Sequence, residues 1–275
     1  MLLGLFFIFI FSVISAQEAE YFQQNVDYNI EVTLNDTNHT LTAFEKLIYS
    51  NNSPDTLDFI WFHIWPNAYK DDSTAYAKQA GENSRFAKSD SSERGFIDSL
   101  DFSVDGQKVV WENHPDWIDV IKVHLNDPLH PGDSVTIETP FFVKIPLVFS
   151  RLGHTGRHYE ITQWYPKPAV YDHKGWHPMP YLNQGEFYSE FGSFNVKITL
   201  SKNYRIMATG DLVDGEEEYA WLDSLTIIAD SIQNMPEKDF KNWAKSQKKG
   251  KREEKDYDST RSEKKTLHFR QNGVH

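Results

Sequence analysis

The sequence predicts an all-β fold, a saddle or sandwich with long loops. Three observations carry that expectation: apolar and polar residues alternating with a period of two, a composition rich in strand formers, and tight-turn signals between the alternating runs. Hydrophobic residues make up 39% of the 275 residues and aromatics 15%, with eight Trp, thirteen Tyr and nineteen Phe. Rings in that number suit half-buried pleated faces better than a helical bundle.

The elements follow in chain order. Val26, Tyr28, Ile30, Val32 and Leu34 alternate with polar residues, and a polar turn over Asn35 to Asn38 leads into a second run from Thr40 to Ser50. This is a hairpin pattern. Leu57 to Ile64 reads as a strand apolar on both faces. Residues 66 to 95 are polar and read as a long loop with some helix. Ile97 to Val104 and Gln107 to Trp111 flank Asp105-Gly106, a strong two-residue hairpin signal. Val120 to Leu125 and Ser134 to Ile145 are joined through Pro131-Gly132-Asp133. Phe194 to Leu200, Arg205 to Ala208 and Thr266 to Arg270 are the last expected strands.

Two segments stand apart from this pattern. Leu2 to Val13 is almost entirely apolar and is followed by Ile14-Ser15-Ala16, the form of a signal peptide cleaved before Gln17. It is shorter than the roughly 20 apolar residues of a membrane-spanning helix. Residues 1–16 are therefore expected to direct export to a periplasmic, cell-surface or secreted location, leaving one β-rich domain over 17–275. From Pro236 to Lys265, 18 of 30 residues are charged, 11 basic and 7 acidic. Such a run has little apolar surface to bury and reads as a flexible, solvated insertion between strands.

Composition excludes several function classes. The formal net charge of −12 argues against nucleic acid as a partner. With no Cys in the chain, disulfides, thiolate metal sites and a cysteine nucleophile are all excluded. None of the eleven His begins an H-E-x-x-H helix, and no G-x-S-x-G elbow occurs. His154 and His158 have the spacing of two ligands on one helix face, but Gly153, Gly156 and the strand-like Tyr159 to Thr162 speak against a helix there. Asp172, His173 and His177 share a Gly/Pro-rich loop without a recognisable ligand pattern. Glu186 and Glu190 could pair as glycosidase carboxylates, but spacing alone says little, and solvation at the surface is the better reading of them. No catalytic residue and no metal ligand is assigned.

The densest unusual stretch is Ile161 to Gly192. It contains Thr162-Gln163-Trp164-Tyr165-Pro166, then Gly175-Trp176-His177-Pro178, then Gly185-Glu186-Phe187-Tyr188-Ser189-Glu190-Phe191-Gly192. Ordered aromatic loops of this kind carry function, pack under another domain, or close a barrel end. These motifs resemble the N-terminal domain of aminopeptidase N-like zinc metallopeptidases, in particular exported bacterial members. Val196 to Leu200, Ala208-Thr209-Gly210-Asp211, the early hairpin, Phe59 to His63 and the Asp105-Gly106 turn fit the same pattern, so the resemblance runs over residues 21 to 272.

The resemblance implies a non-catalytic β domain that covers one side of a zinc peptidase cleft and helps position peptide N-termini. It implies no cofactor in these residues. Zinc, the H-E-x-x-H helix and the peptide substrate would belong to a C-terminal catalytic domain outside this sequence. It also implies two substrate-binding positions. Gln163 matches the first Gln of the family's Thr-Gln-x-Gln or Thr-Gln-x-Glu segment, whose last residue helps hold the substrate's α-amino group. Tyr165 stands where that last Gln or Glu is expected, so the usual amine anchor is altered. The alternative is a stand-alone carbohydrate- or peptide-binding module that uses Trp164, Trp176 and neighbouring Tyr as a stacking platform.

Overall fold

The computed structural model describes residues 21–250 and 263–275. The expected signal segment, residues 1–16, and part of the charged insertion lie outside the described residues.

The architecture is all-β in character, built from open sheets in a sandwich-like arrangement. The larger sheet begins with Asn25–Asn35 (β1) and Thr40–Ser50 (β2), paired antiparallel over their whole length. Strict alternation puts Val26, Tyr28, Ile30, Val32 and Leu34 on the buried face of β1, and Leu41, Ala43, Glu45, Leu47 and Tyr49 on that of β2. The second sheet contains Leu57–His63 (β3), whose expected burial on both faces holds for Phe62 and His63 at its end.

Residues 65–95 then run as turns around a short 3-10 segment, Trp65–Tyr69, and a short helix, Ala75–Ala80 (α1). Short strands follow: Phe96–Asp98 (β4), Ser103–Val104 (β5), Gln107–Lys108 (β6) and Trp111–Asn113 (β7). Asp105 and Gly106 both take positive φ, 48° and 78°, as the two-residue turn between β5 and β6 requires. Val120–Leu129 (β8) pairs with β3 and β7, while Ser134–Lys144 (β9) runs beside β2.

The chain next forms five short strands: Gly153–Thr155 (β10), His158–Glu160 (β11), Lys167–Pro168 (β12) and the pair Tyr171–Asp172 (β13) with Gly175–Trp176 (β14). Gly192–Ser201 (β15) returns to lie parallel to β1. Gly192 sits so close to Val26 that a Cβ there would fall 1.7 Å from the Val26 carbonyl oxygen. Only glycine permits this approach. Asp211–Val213 (β16) and Lys264–Val274 (β17) complete the larger sheet, with order β16-β17-β15-β1-β2-β9-β5-β6 and β4 beside β9. The second sheet has the order β12-β3-β8-β7.

Buried side chains from both sheets merge into one aromatic-rich core that includes Tyr49, Phe62, Trp65, Phe141 and Tyr181. Burial is nearly complete under β2 and β9, where Leu47, Ile137 and Phe141 are each 1% exposed. Along β15, by contrast, Phe194, Val196 and Ile198 are only half-buried. The core is closed at one side of the large sheet and open at the other.

Two expectations need correction. Arg205 to Ala208 does not form a strand. The position beside β17 is taken by β16, with Leu212 opposite Phe269, so residues 205–208 have no ladder to join and Met207 stands fully exposed. Between β16 and β17, which pair with each other, the chain forms a long helix, Glu216–Gln233 (α2), that the strand pattern did not suggest. Glu237–Gly250 (α3) follows it, so the first half of the charged run is helical.

Candidate functional site

The stretch from Ile161 to Gly192 stands between the two sheets. Its first part is pinned where Lys167 and Pro168 pair with His63 and Phe62 of β3, leaving Ile161, Thr162, Trp164 and Tyr165 facing the open side of the large sheet. There they wall an apolar trough of about 850 Å³. Ile30, Val32 and Leu34 of β1, Phe194, Val196 and Ile198 of β15 and Phe269 of β17 form its floor. Ile161, Trp164, Tyr165, Ile206 and Met207 also line it. Arg157, Arg205, Gln271 and His275 add polar groups around it. A volume of this size and lining matches the usual range of binding clefts.

Tyr165 is held by rings. It lies edge-on to Tyr28 at 5.5 Å, Trp164 at 5.4 Å and Phe194 at 6.2 Å. Burial, and after it the Glu45 carboxyl, pushes its phenol above the ordinary value. Glu45 is directly opposite Ile30 in the β1–β2 ladder and so shares its inner face, yet it is 1% exposed and neither carboxyl oxygen has a hydrogen-bond partner. Burial raises its pKa well above the usual carboxylate range. Burial therefore favours its uncharged form beneath the aromatic wall of the trough.

Gln163 has a different environment. Thr162, Trp164 and Tyr165 line the trough, whereas Gln163 does not. Its backbone takes φ 54°, the left-handed region that non-glycine residues avoid. Its Oε1 accepts a hydrogen bond from Lys167 Nζ at 3.2 Å. The structure therefore does not join the two sequence-predicted substrate-binding residues in one place: Tyr165 belongs to the trough, and Gln163 to a polar cluster beside it.

That cluster is centred on Lys167. Its ammonium donates to Ser189 Oγ at 2.7 Å and stands 4.6 Å from the centre of the Trp65 ring. Burial lowers its pKa from 10.5 to about 8. His63 stacks on Trp65 at 4.4 Å, and its Nε2 accepts the Met179 amide at 3.1 Å. Burial, and after it Lys167, holds His63 well below its ordinary pKa, so it is neutral. Lys167, Ser189 and His63 were not singled out from the sequence. The one signal was Lys167 itself, a cation flanked by two Pro within an apolar run.

The remaining candidates fall elsewhere. His154 and His158 lie on the hairpin β10–β11, where their partners are Tyr159 and Thr155. His154 stacks on His39 at 3.6 Å. Asp172 Oδ1 and His177 Nε2 are hydrogen-bonded at 2.8 Å. Among the described residues no group of three His, Asp or Glu is arranged to hold a metal ion. Glu190 does not face Glu186 as a catalytic pair: it is buried, and its Oε1 accepts the Tyr171 amide at 3.0 Å.

No protein-family model matches the sequence, and no curated protein does. Solved structures do match. A mutant M1 zinc metallopeptidase from Deinococcus radiodurans is 15% identical with a TM-score of 0.42, over 70% of this chain and 35% of that one. The M1 zinc metallopeptidase from the same organism is 16% identical, with a TM-score of 0.39 over 70% and 35%. A two-domain M1 zinc metallopeptidase mutant bound to L-arginine is 14% identical, with a TM-score of 0.40 over 70% and 36%. The chain spans about a third of the length of these structures.

Proposed function

We propose that this chain is a non-catalytic β domain of an exported zinc aminopeptidase-like protein, and that its trough seats a second, catalytic domain. The observation that carries the reading is the open half of the large sheet. A soluble β domain acting alone closes its core, yet here Phe194, Val196, Ile198, Ile206 and Met207 remain accessible around one concave surface of about 850 Å³. The resemblance of Thr162 to Pro166 and Gly185 to Gly192 to the metallopeptidase N-terminal domain supports the same reading. The aromatic groups support it over a carbohydrate platform. Trp164 packs with Phe141 and Tyr165, while Trp176 packs with Tyr49, Phe59 and Tyr171, so the two rings belong to separate half-buried clusters.

In this reading Tyr165 and the Glu45 beneath it face the substrate side of the seated domain, and zinc-activated water would be supplied by residues outside this chain. The test compares the chain alone with the full-length product of its gene, by zinc content and by hydrolysis of aminoacyl substrates. The chain alone should be zinc-free and inactive, and the full-length product should carry about one zinc and cleave free N-termini. A full-length product that neither binds zinc nor cleaves would refute the proposal.

A further inference from the structure

A buried ammonium without a counter-ion lies behind Gln163. Lys167 is 7% exposed. The groups around its Nζ are the Ser189 hydroxyl, the Gln163 carbonyl and the Trp65 ring face, and all are neutral. Among the described residues no carboxylate forms an ion pair with it. Glu190, next to Ser189 in sequence, is engaged with the Tyr171 amide. His63 adds no negative charge, since it is held in its neutral form. At pH 7 Lys167 remains mostly charged in surroundings that give it hydrogen bonds but no opposite charge.

Donor chemistry fixes the direction of Gln163. An ammonium carries donors only, so the amide atom facing Lys167 must be the carbonyl oxygen, and the Nε2 group points away from it. Gln163 is partly exposed while Lys167 is not. The outward end of the cluster is therefore an N–H donor backed by a buried positive charge. Its backbone is held in a strained left-handed conformation, and strain of this kind is kept where the surrounding structure imposes it. Ser189 accepts from Lys167 and retains its own proton to donate.

We propose that Lys167, Gln163 and Ser189 form a receptor for a carboxylate, with the ammonium supplying charge and the Gln163 amide N–H supplying direction. This site does not depend on the proposed seating of a second domain, because neither Gln163 nor Lys167 lines the trough. It also gives Gln163 a role apart from the amine contact that the resemblance assigns to the position of Tyr165. With its carbonyl already engaged, Gln163 reads an acceptor on the ligand and not an ammonium. A peptide C-terminus and an Asp or Glu side chain offer the same chemistry.

The test is a titration of the chain carrying ¹³Cε-labelled lysine, with the Lys167 resonance assigned by its loss in Lys167→Met. Three probes are compared: N-acetyl-phenylalanine, N-acetyl-glutamic acid α-amide and N-acetyl-phenylalaninamide. Both carboxylates should shift the Lys167 resonance saturably and raise its pKa by about one unit or more. The uncharged amide should leave it unmoved. The tighter of the two carboxylates identifies the source as a chain terminus or a side chain. Gln163→Leu should weaken binding about tenfold, through the lost charge-assisted bond. Gln163→Glu should abolish it, because the new carboxylate occupies Lys167 internally. Near-UV circular dichroism checks that each variant keeps its fold, and Lys167→Met, similar in volume and apolar, should pass that check. A Lys167 resonance that no carboxylate moves, or that the amide moves equally, would overturn the proposal.

Discussion

At the scale of single residues, the molecule places ionisable groups where burial decides their charge. Glu45 is the extreme case, a carboxyl with both oxygens unpaired inside the core. Leaving a buried polar group unsatisfied costs about 1–3 kcal/mol. Glu45→Met keeps the volume and removes that penalty, so thermal unfolding should shift upward by several degrees, roughly 2–4 °C per kcal/mol for a domain of this size. A fall in Tm would show that Glu45 has a partner in solution. Tyr165 carries the second prediction at this scale. In the full-length product, Tyr165→Phe should lower kcat/KM by about tenfold or less, the loss of one neutral hydrogen bond. Tyr165→Glu should increase the preference for free over acetylated N-termini. Unchanged kinetics in both variants would assign Tyr165 to packing alone. Of the residues that define these sites, Tyr165 was legible because it stands inside a recognisable motif. Glu45 was not: its alternation with Ala43 and Leu47 places it on the buried face, but nothing local marks a carboxylate there as different from one at a strand edge. The cluster around Lys167 was hidden for a related reason: beyond the cation between two Pro, its environment is assembled from β3, Trp65 and Ser189, which are distant in sequence.

At the scale of elements, the long strands were legible and the edges were not. β1, β2 and β9 each show alternation because one face is buried along most of their length, and β15 keeps the same apolar alternation although its inner face is only half-buried. Residues 205–208, Arg-Ile-Met-Ala, are a short apolar run yet form no strand, since the position beside β17 is held by β16. Helix α2 escaped the reading because its apolar residues do not mark a packed face. Leu222, Leu225, Ile227 and Ile228 are all exposed, and Glu218 is its one buried residue. Its legible signal was the run Glu216-Glu217-Glu218 in the first turn, favourable at a helix N-terminus. Glu218 anchors the helix by accepting from Arg205 at 2.8 Å and from Lys265, and Arg205 also stands over the Trp221 ring at 4.9 Å. Since β16 and β17 pair directly, the helices are an excursion from a hairpin. Replacing residues 224–260 with a short Gly/Ser linker, which spares Glu218 and Trp221, should change Tm by less than about 2 °C. Limited trypsin digestion of the intact chain should cut first within the lysine-rich run after Lys245. A large loss of stability on deletion would mean that this excursion packs against the core.

At the scale of the whole molecule, the buried charges give an unusual pH dependence. Burial raises Glu190 from 4.5 to about 7 and Asp119 from 3.8 to about 6. Between those limits these two carboxyls hold more protons in the folded chain than in the unfolded one, so their contribution to stability falls as pH climbs from about 4.5 to 7, and it outweighs the single opposing contribution of His63, whose pKa burial holds below 6.5. Lys167 acts in the next window. Its folded value of about 8 lies below 10.5, so the unfolded chain binds more protons there, and stability recovers as pH rises from about 8 towards 10. Tm should therefore pass through a minimum between about pH 7 and 8, the acid limb flattening in Glu190→Gln and the alkaline limb in Lys167→Met. A stability maximum at neutral pH would contradict this account. The larger claim is that the open half of the sheet is an interface, and Met207 reports on it directly. It is fully exposed on the lip of the trough, and peroxide converts exposed thioethers to sulfoxides. Met235, which lies between the two helices and outside the trough, serves as the internal reference. The decisive measurement is the rate of peroxide oxidation at each residue by mass spectrometry, in the chain alone and in the full-length product. The account predicts rapid oxidation of Met207 in the chain alone and protection of about tenfold or more in the full-length product, with Met235 unchanged. Equal Met207 rates in the two would contradict it, since the trough would then be open to water in both.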